Sequence, residues 1–279
     1  MHDLLPTVLA VLAALFIAAG TLLRQRASAV SGEITRGWWL GAALALAGFG
    51  LQAAALAVGP LLLVQPLMVL SVLFALPLEA RADHRQPSRS EWFWGLVLAI
   101  CVALFLLIAS PAPTGHRPDH VLVVATNSAV IVVLICLVII GERGTPRRRA
   151  LSYGLVAGTF FGVSAFLLKT VMYQLVHEPA VILGRPEVYL FTVAAVGGVL
   201  AQQRAFSAGE LQTSFPAMVV MEPAVAMGLG MALLGERIQV TLVEAVLVVL
   251  IVVGLVRSVI VLAALSTVRG GQHADESIA

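Results

Sequence analysis

The sequence predicts an all-α integral membrane protein with nine transmembrane helices, and three observations lead to this fold class. Of the 279 residues, 60% are hydrophobic and 11% are charged, and the mean hydropathy of the chain is +1.00. Water-soluble domains do not carry so much apolar surface. The apolar residues form nine runs of about membrane-spanning length, and short polar or basic loops separate these runs.

The nine predicted helices follow one another along almost the whole chain. They cover residues 3–23, 38–58, 61–78, 92–109, 120–140, 151–173, 187–203, 211–234 and 241–266. Arginines follow the first apolar run instead of preceding it, which predicts a spanning helix rather than a cleaved signal peptide. Only Gly59 and Pro60 separate the second helix from the third, which predicts a tight hairpin. The tail, residues 267–279, is predicted to be a disordered cytoplasmic segment.

The arginines in the loops predict the orientation of the helices. If the helices cross the membrane in alternation, twelve loop arginines fall on one side and three, Arg117, Arg185 and Arg237, fall on the other. Since cytoplasmic loops carry the excess of basic residues, the N-terminus is predicted outside and the C-terminus inside. The protein is therefore expected in a bacterial-type plasma (inner) membrane. The net charge of +2 is spread over short loops and gives no indication of nucleic-acid binding.

An internal repeat relates the two halves of the chain. QAAALAVGPL (52–61) matches QQRAFSAGEL (202–211), and VQPLMVLSVLFALPLEA (64–80) matches MEPAVAMGLGMALLGER (221–237). These matches pair helices 1–4, in a first repeat of residues 1–110, with helices 6–9. Helix 5 stays unpaired in a second half of residues 120–266. The paired helices are five apart, an odd number, so the copies are predicted to have opposite orientations. Such inverted repeats are typical of secondary transporters, whose substrate sites lie near the membrane midplane between the copies.

The eighth predicted helix carries the strongest candidate site. Glu222 lies near its middle, where an acid costs about 2.5–3.5 kcal/mol on translocon-insertion scales. Pro216 and Pro223 each remove a backbone donor and predict helix breaks around Glu222, and Pro66 predicts a break in the matching helix of the first repeat. Glu222 is therefore expected to bind a proton or the substrate. The alternative is a protonated glutamate that hydrogen-bonds to a neighbouring helix and fixes the packing.

Charged residues nearer the helix ends are candidates for gates. Lys169 is the only lysine in the chain, and its repeat partner is Arg24. The two cations are predicted at opposite mouths of the protein, where they could attract anionic groups, pair with gate carboxylates or extend to the lipid headgroups. Glu210 and Glu236, at the two ends of the eighth helix, are predicted to be gate carboxylates or solvated loop charges. Lys169 also shares a helix face with three glycines that allow another helix to approach closely, namely Gly154, Gly158 and Gly162.

Amide side chains within or near the predicted spans are candidates for binding a neutral or zwitterionic solute. They are Gln52, Gln65, Asn127, Gln202 and Gln203. Gln65 is the best placed of them because the repeat aligns it with Glu222. The alternative for each amide is an interhelical hydrogen bond, worth about 0.6 kcal/mol. Glu244, in the ninth helix, is predicted to have a structural role.

The sequence gives no support for an intramembrane enzyme, and no cofactor is predicted. Every aspartate lies in a loop or in the tail, so no pair of membrane aspartates is available for hydrolysis. The HExxH pattern of zinc proteases, the P-loop and the dinucleotide-binding fingerprint are all absent from the sequence. Cys101 and Cys136 lie within apolar runs, which predicts neither a structural disulfide nor a thiolate metal site.

The residues that follow the two matching prolines resemble the drug/metabolite transporter superfamily, including its EamA-like members. Each half of that superfamily carries a proline followed by an apolar stretch that ends in Glu-Arg. Pro223 to Gly235-Glu236-Arg237 matches this pattern, and Pro66 to Glu79-Ala80-Arg81 matches it more loosely. The NIPA-type magnesium transporters are the most similar branch, through GWWLG (37–41), ALAVGPLLLVQPLMVLSVL (55–73), FLLK (166–169) and GVLAQQRAF (198–206). The superfamily commonly has ten helices in two fives, so the resemblance implies that the first helix of the first half is missing here.

This resemblance implies a secondary transporter that moves a small polar solute or metabolite by alternating access. A NIPA-like carrier of Mg²⁺ is an alternative, with Glu222 as its only carboxylate ligand at mid-depth. Mg²⁺ is usually held by one or two carboxylates and keeps several waters. A flippase for lipids or lipid-linked sugars and a membrane scaffold that transports nothing are two further alternatives. The expected partners are a small molecule or ion and membrane lipid, and a homodimer is compatible with the sequence.

Overall fold

The computed structural model describes residues 4–31, 36–82, 86–109, 120–177, 179–207, 211–236, 238 and 240–276, and the regular structure within these ranges is entirely helical. The helices are α1 (Leu4–Ser31), α2 (Arg36–Val58), α3 (Leu61–Met68), α4 (Leu70–Ala82), α5 (Arg89–Ala109), α6 (His120–Glu142), α7 (Pro146–His177), a 3-10 helix (Pro179–Gly184), α8 (Pro186–Ser207), α9 (Leu211–Leu233) and α10 (Leu242–Glu276).

The helices follow the predicted apolar segments closely. The boundaries differ mainly because several helices extend beyond the apolar residues: α1 reaches Ser31, and α7 begins at Pro146. α10 reaches Glu276, so the backbone is helical through most of the tail for which the sequence predicts disorder. The third predicted helix differs most, because α3 ends at Met68 and α4 begins at Leu70.

Seven helical stretches in the described part of the chain are long and apolar enough to cross a membrane. They are Leu4–Leu23, Trp39–Val58, Leu61–Ala82, Arg89–Ile108, Pro146–His177, Thr213–Leu233 and Leu242–Leu262. α6 has a shorter apolar stretch, Ser128–Glu142, and α8 carries the polar residues Gln202, Gln203 and Arg204 near its C-terminal end. The protein is therefore an all-α, multi-pass membrane protein, while the count of nine spans stays a prediction.

Capping boxes begin α5 and α10. The Ser88 N–H donates to Glu91 Oε2 at 2.6 Å, and the Glu91 N–H donates to Ser88 Oγ at 3.2 Å. Thr241 and Glu244 form the same reciprocal pair, with distances of 2.7 Å and 3.4 Å. Each box satisfies two backbone donors at a helix start. Glu244 therefore has a structural role, and the boxes occupy the starts of two helices that the predicted repeat pairs.

The chain divides into two compact units. The first unit contains Met1–Ala109 and Val240–Leu255, and the second contains Ser110–Gln239 and Val256–Ala279. In the first unit, α1 packs against α2, α3 and α4. The α1–α2 contact is close, because a Cβ atom at Gly20 would lie 2.6 Å from the Gly41 carbonyl oxygen and one at Gly48 would lie 3.1 Å from the Ala13 oxygen. Small residues thus bring these two backbones together.

In the second unit, α7 is the central helix and contacts α6, α8 and α9. The buried core comes from α7, α8 and α9, and its members are Tyr153, Val156, Ala157, Ala201, Ala205 and Met218. α8 approaches α7 through Gly197 and Gly198, where a Cβ atom would lie 3.0 Å and 2.7 Å from the rings of Phe160 and Phe161. The buried face of α7 therefore lies among the other helices of this unit.

Candidate functional site

A row of glycines brings α7 into backbone contact with α9. A Cβ atom would lie 2.5 Å from the Ser214 oxygen if placed at Gly154, 2.7 Å from the Met218 oxygen at Gly158, and 2.6 Å from the Glu222 oxygen at Gly162. Real Cβ atoms do not come so close to a carbonyl oxygen, so only glycine fits at these three positions. The prediction that these glycines let another helix approach is confirmed, and the partner is α9. We call this contact the glycine seam.

Glu222 lies at the middle of the 23-residue helix α9, at the end of the glycine seam. The residue is only partly exposed, and it has no hydrogen-bond or ion-pair partner within the described residues. The alternative role of Glu222, a hydrogen bond to a neighbouring helix that fixes the packing, therefore has no partner residue within the described ranges. A carboxyl group in the middle of an apolar helix, without a partner in the described part of the chain, is available to a proton or to a polar ligand.

The prolines of α9 do not interrupt it. The helix runs without a break from Leu211 to Leu233, with Pro216 and Pro223 inside it. The predicted breaks at these two positions are therefore wrong. Each proline removes only one intrahelical hydrogen bond, and α7 supports the backbone of α9 from Ser214 to Glu222 along the seam. Pro223 still leaves the turn that carries Glu222 with one donor fewer.

Lys169 forms a close ion pair with Glu236. Its Nζ atom lies 2.7 Å from Glu236 Oε1, and the side chains are 19% and 2% exposed. Gly235, with φ 66°, turns the chain at the end of α9 so that the Glu236 N–H donates to the Gly230 oxygen at 3.1 Å. Glycine adopts this left-handed conformation without strain. The turn holds Glu236 against α7, and of the three roles considered for Lys169 the structure displays pairing with a carboxylate.

A second polar network links α6, α7 and α8, and sequence reasoning missed it. The Tyr153 hydroxyl donates to Glu142 Oε1, and Arg149 lies 3.6 Å from Glu142 Oε2. Arg204 donates to the Tyr153 hydroxyl at 3.4 Å, with its guanidinium 5.7 Å from the ring centroid. One signal could have indicated it: Glu142 is the single carboxylate beside the arginines of the α6–α7 loop.

In the first unit, Gln65 is almost completely enclosed. It is 1% exposed, and neither its amide nitrogen nor its amide oxygen has a hydrogen-bond partner in the described structure. Leaving a polar group buried without a partner costs about 1–3 kcal/mol. Gln65 precedes Pro66, and α3 ends soon after, where the Val69 N–H donates to the Pro66 oxygen at 3.3 Å. A helix break thus follows Pro66, as the sequence predicts.

The remaining candidates divide into placed and unplaced residues. Gln52 is buried on α2, and Gln202 of α8 donates to Met218 Sδ of α9 at 3.2 Å, which is a contact between helices. Asn127 lies on α6 and Arg24 on α1, but their side chains, and the whole of Glu210, lie outside what the structure describes. No group of three histidine, cysteine, aspartate or glutamate residues in the described ranges is placed to hold a metal ion.

Comparison with known proteins finds a relative that aligns with this chain over almost its whole length. The chain is 32% identical to an uncharacterized protein of Corynebacterium glutamicum over 283 residues, covering 96% of this chain and 98% of the relative. The two chains belong to one family. No protein-family model matches the sequence, and no solved structure matches it.

The alignment with the corynebacterial relative covers almost all of both chains, so it extends through both units of this chain. A relative at this level of identity is expected to share the helical arrangement. The candidate site itself rests on the geometry described above.

Proposed function

We propose that this protein is a secondary transporter that moves a small polar solute or metabolite by alternating access. The observation that carries the proposal is Glu222: a carboxyl group at the middle of an apolar membrane helix, with no partner among the described residues. Ionisable residues within membrane spans mark substrate and ion pathways or proton relays. In this proposal Glu222 exchanges a proton or contacts the solute, and the Lys169–Glu236 pair lies nearer the outer end of the same two helices.

The packing inside each unit supports an internal repeat. α1 packs against α2 and against α3 and α4, while α7 packs against α8 and α9, which are their predicted counterparts. The capping boxes of α5 and α10 add a further correspondence. We therefore keep the inverted repeat of the drug/metabolite transporter superfamily as the proposed architecture, with helices 1–4 matching helices 6–9.

For the topology we propose nine spans, with the N-terminus outside and the C-terminus inside the plasma membrane. α6 and α8 would supply the two spans beyond the seven apolar stretches. The polar network supports this arrangement, because it joins Glu142, Arg149 and Arg204, whose loops are predicted on the same side.

Cysteine labelling tests the topology in a variant that lacks Cys101 and Cys136. We expect a cysteine at Arg147 to react with a membrane-impermeant maleimide only after permeabilisation. A cysteine at Arg117 should react in intact cells. The reverse pattern would overturn the proposed orientation.

The Glu222→Gln variant tests the function, because it keeps the side-chain volume and removes the exchangeable charge. Purified protein is reconstituted in proteoliposomes and tested against radiolabelled amino acids, carboxylic acids and nucleosides. If Glu222 carries the proton, the variant should lose accumulation driven by a pH gradient and retain counterflow exchange, which needs no net proton movement. Glu244→Gln is the matched control, since glutamine can also serve in a capping box.

Other outcomes would assign another function. Loss of Mg²⁺ flux under any driving force would favour a magnesium carrier, because a neutral amide is a poorer ligand for this cation. Movement of a labelled lipid between leaflets by the wild-type protein would favour a flippase. No flux of any of these would favour a scaffold. Unchanged accumulation in well-folded Glu222→Gln protein would remove this residue from the mechanism.

A further inference from the structure

The Lys169–Glu236 ion pair combines features that a purely structural ion pair does not need. Glu236 is 2% exposed and Lys169 19% exposed, so both charges are largely withdrawn from solvent. Removing two charges from water costs several kcal/mol per ion, and apolar residues of similar volume are often at least as stable. Stabilisation of the fold alone therefore does not explain why this ion pair is present instead of two apolar residues.

The two partners differ in how they are held. The backbone fixes Glu236, because the positive φ of Gly235 and the hydrogen bond to the Gly230 oxygen set the turn that carries it. Lys169 reaches it with a flexible four-carbon stem from the side of α7. The ammonium group is thus both the mobile and the more accessible member of the pair. A ligand that enters can take the ammonium group away from the carboxylate, whereas Glu236 is almost out of reach.

The position of Lys169 connects the pair with the glycine seam. Lys169 follows Gly162 by seven residues, so it lies on the same face of α7, about 10 Å farther along the helix. Helical side chains lean towards the N-terminus, which for Lys169 is the direction of Gly162 and therefore of the Glu222 backbone. An ammonium group released by Glu236 would lie on the side of the helix that carries the candidate site.

We propose that Lys169 is an anion-binding residue and that Glu236 occupies it when no ligand is bound. The ligand is a small soluble molecule with an oxyanion, a carboxylate or a phosphate, which displaces the Glu236 carboxylate from the ammonium group. This inference rests on the proposed function in one respect, since it identifies the ligand as the transported solute. The anion site itself can be tested without transport.

Binding is tested on the full chain in detergent at constant ionic strength, with chloride as the reference anion. Acetate and inorganic phosphate are the probes, and the rise of the thermal unfolding midpoint with anion concentration gives the affinity. Glu236→Gln removes the competing carboxylate, so we expect it to bind the probes at an about tenfold lower concentration, which corresponds to about 1.4 kcal/mol. Lys169→Gln should bind neither probe.

Glu79→Gln is the matched control, because the repeat aligns Glu79 with Glu236. It should leave anion binding at the wild-type level. If Glu236→Gln does not give folded protein, Glu236→Asp replaces it, since the shorter carboxylate weakens the pair and should raise the affinity in the same direction.

The single lysine provides a second measurement. An amine-reactive reagent can modify only Lys169 and the N-terminal amine, and Lys169→Arg corrects for the terminus. Labelling of Lys169 should be faster in Glu236→Gln than in wild type. Acetate or phosphate should slow it over the concentration range that raises the midpoint.

Three results would overturn the proposal. Equal midpoint losses in Lys169→Gln and Glu236→Gln, with no effect of either anion, would assign the pair to structure alone. Equal anion binding in Lys169→Gln and wild type would exclude Lys169 from the site. Protection of Lys169 by phosphatidylglycerol vesicles, but not by phosphatidylcholine vesicles or soluble anions, would assign it to a lipid headgroup. Intact anion binding alongside a failed Glu222→Gln transport test would remove the transport proposal and leave this site standing.

Discussion

The repeat aligns α3–α4 with α9, and both carry a polar residue followed by a proline, but the local structure around this pair differs. In the first unit, Gln65 and Pro66 are buried, and the helix ends at Met68 and restarts at Leu70. In the second unit, Glu222 is partly exposed, and the helix continues through Pro223. A proline beside a polar residue therefore does not determine the local structure. The surroundings determine it, and in the second unit these are the glycines of α7, which hold the backbone of α9.

The difference also separates the roles of the two polar side chains. Gln65 is 1% exposed and contributes a neutral amide whose hydrogen bonds the described protein does not satisfy. Glu222 contributes an ionisable group, and the residue is less enclosed than Gln65. An amide can orient a solute but cannot release a proton, whereas a carboxyl group can do both. We therefore expect charge at these two aligned positions to have opposite consequences.

Exchange of charge between these positions should give the largest effect. Gln65→Glu puts a carboxylate into a closed site with no partner, which costs several kcal/mol or leaves the acid protonated. Glu222→Gln should change stability little. The unfolding midpoint in detergent and the monodisperse fraction after extraction measure both. A Gln65→Glu protein as stable as wild type would show that Gln65 is hydrated, and the contrast between the two helices would fail.

A side chain in the glycine seam should have the next largest effect. Leucine at Gly158 would collide with the Met218 carbonyl oxygen and the Met221 side chain, so we expect a loss of about 1–3 kcal/mol. Gly228 is the control on α9 itself, because a Cβ atom there meets nothing within 4 Å. Thermal unfolding of Gly158→Leu and Gly228→Leu compares them. Equal midpoints would mean that the seam does not support α9.

Removal of the helix caps should have the smallest effect and should be similar in both units. Ser88→Ala and Thr241→Ala each remove the side chain that accepts the N–H of the glutamate three residues later, at a cost of about 0.5–2 kcal/mol. Ser90→Ala, in the first turn of α5, is the control and should be nearly neutral. If only one cap variant lost stability, the correspondence of α5 with α10 would be weakened.

The sequence was sufficient to predict the helices but not their partners. Nine apolar runs mark α1 to α10, with α3 and α4 sharing one run; bilayer thickness fixes how many apolar residues a span requires. The glycines at 154, 158 and 162 indicated a close neighbour through their spacing alone. That the neighbour is α9 depends on tertiary packing, which no local pattern contains.

The sequence identified the residues of the candidate site but only some of the contacts between them. Lys169 and Glu236 were both candidates, but their pairing requires the turn at Gly235, which brings Glu236 back over the end of α9. The breaks at Pro216 and Pro223 were predicted wrongly because the rule for isolated helices ignores support from a neighbour. The Tyr153 network was missed because tyrosine has no spacing rule that links it to a distant carboxylate.

The glycine seam has a mechanical consequence. Where side chains interdigitate, one helix moves along another only by lifting each knob out of its hole. At Gly158 and Gly162, α7 presents bare backbone to α9, and the Met221 and Val225 side chains of α9 lie against these two glycines. At these glycines, axial displacement of α9 therefore meets no interlocking α7 side chain over about two turns, while the ion pair between Lys169 and Glu236 limits its length. We therefore expect α9 to slide along α7 more easily than a helix packed by interlocking side chains, with the ion pair at one end limiting the movement.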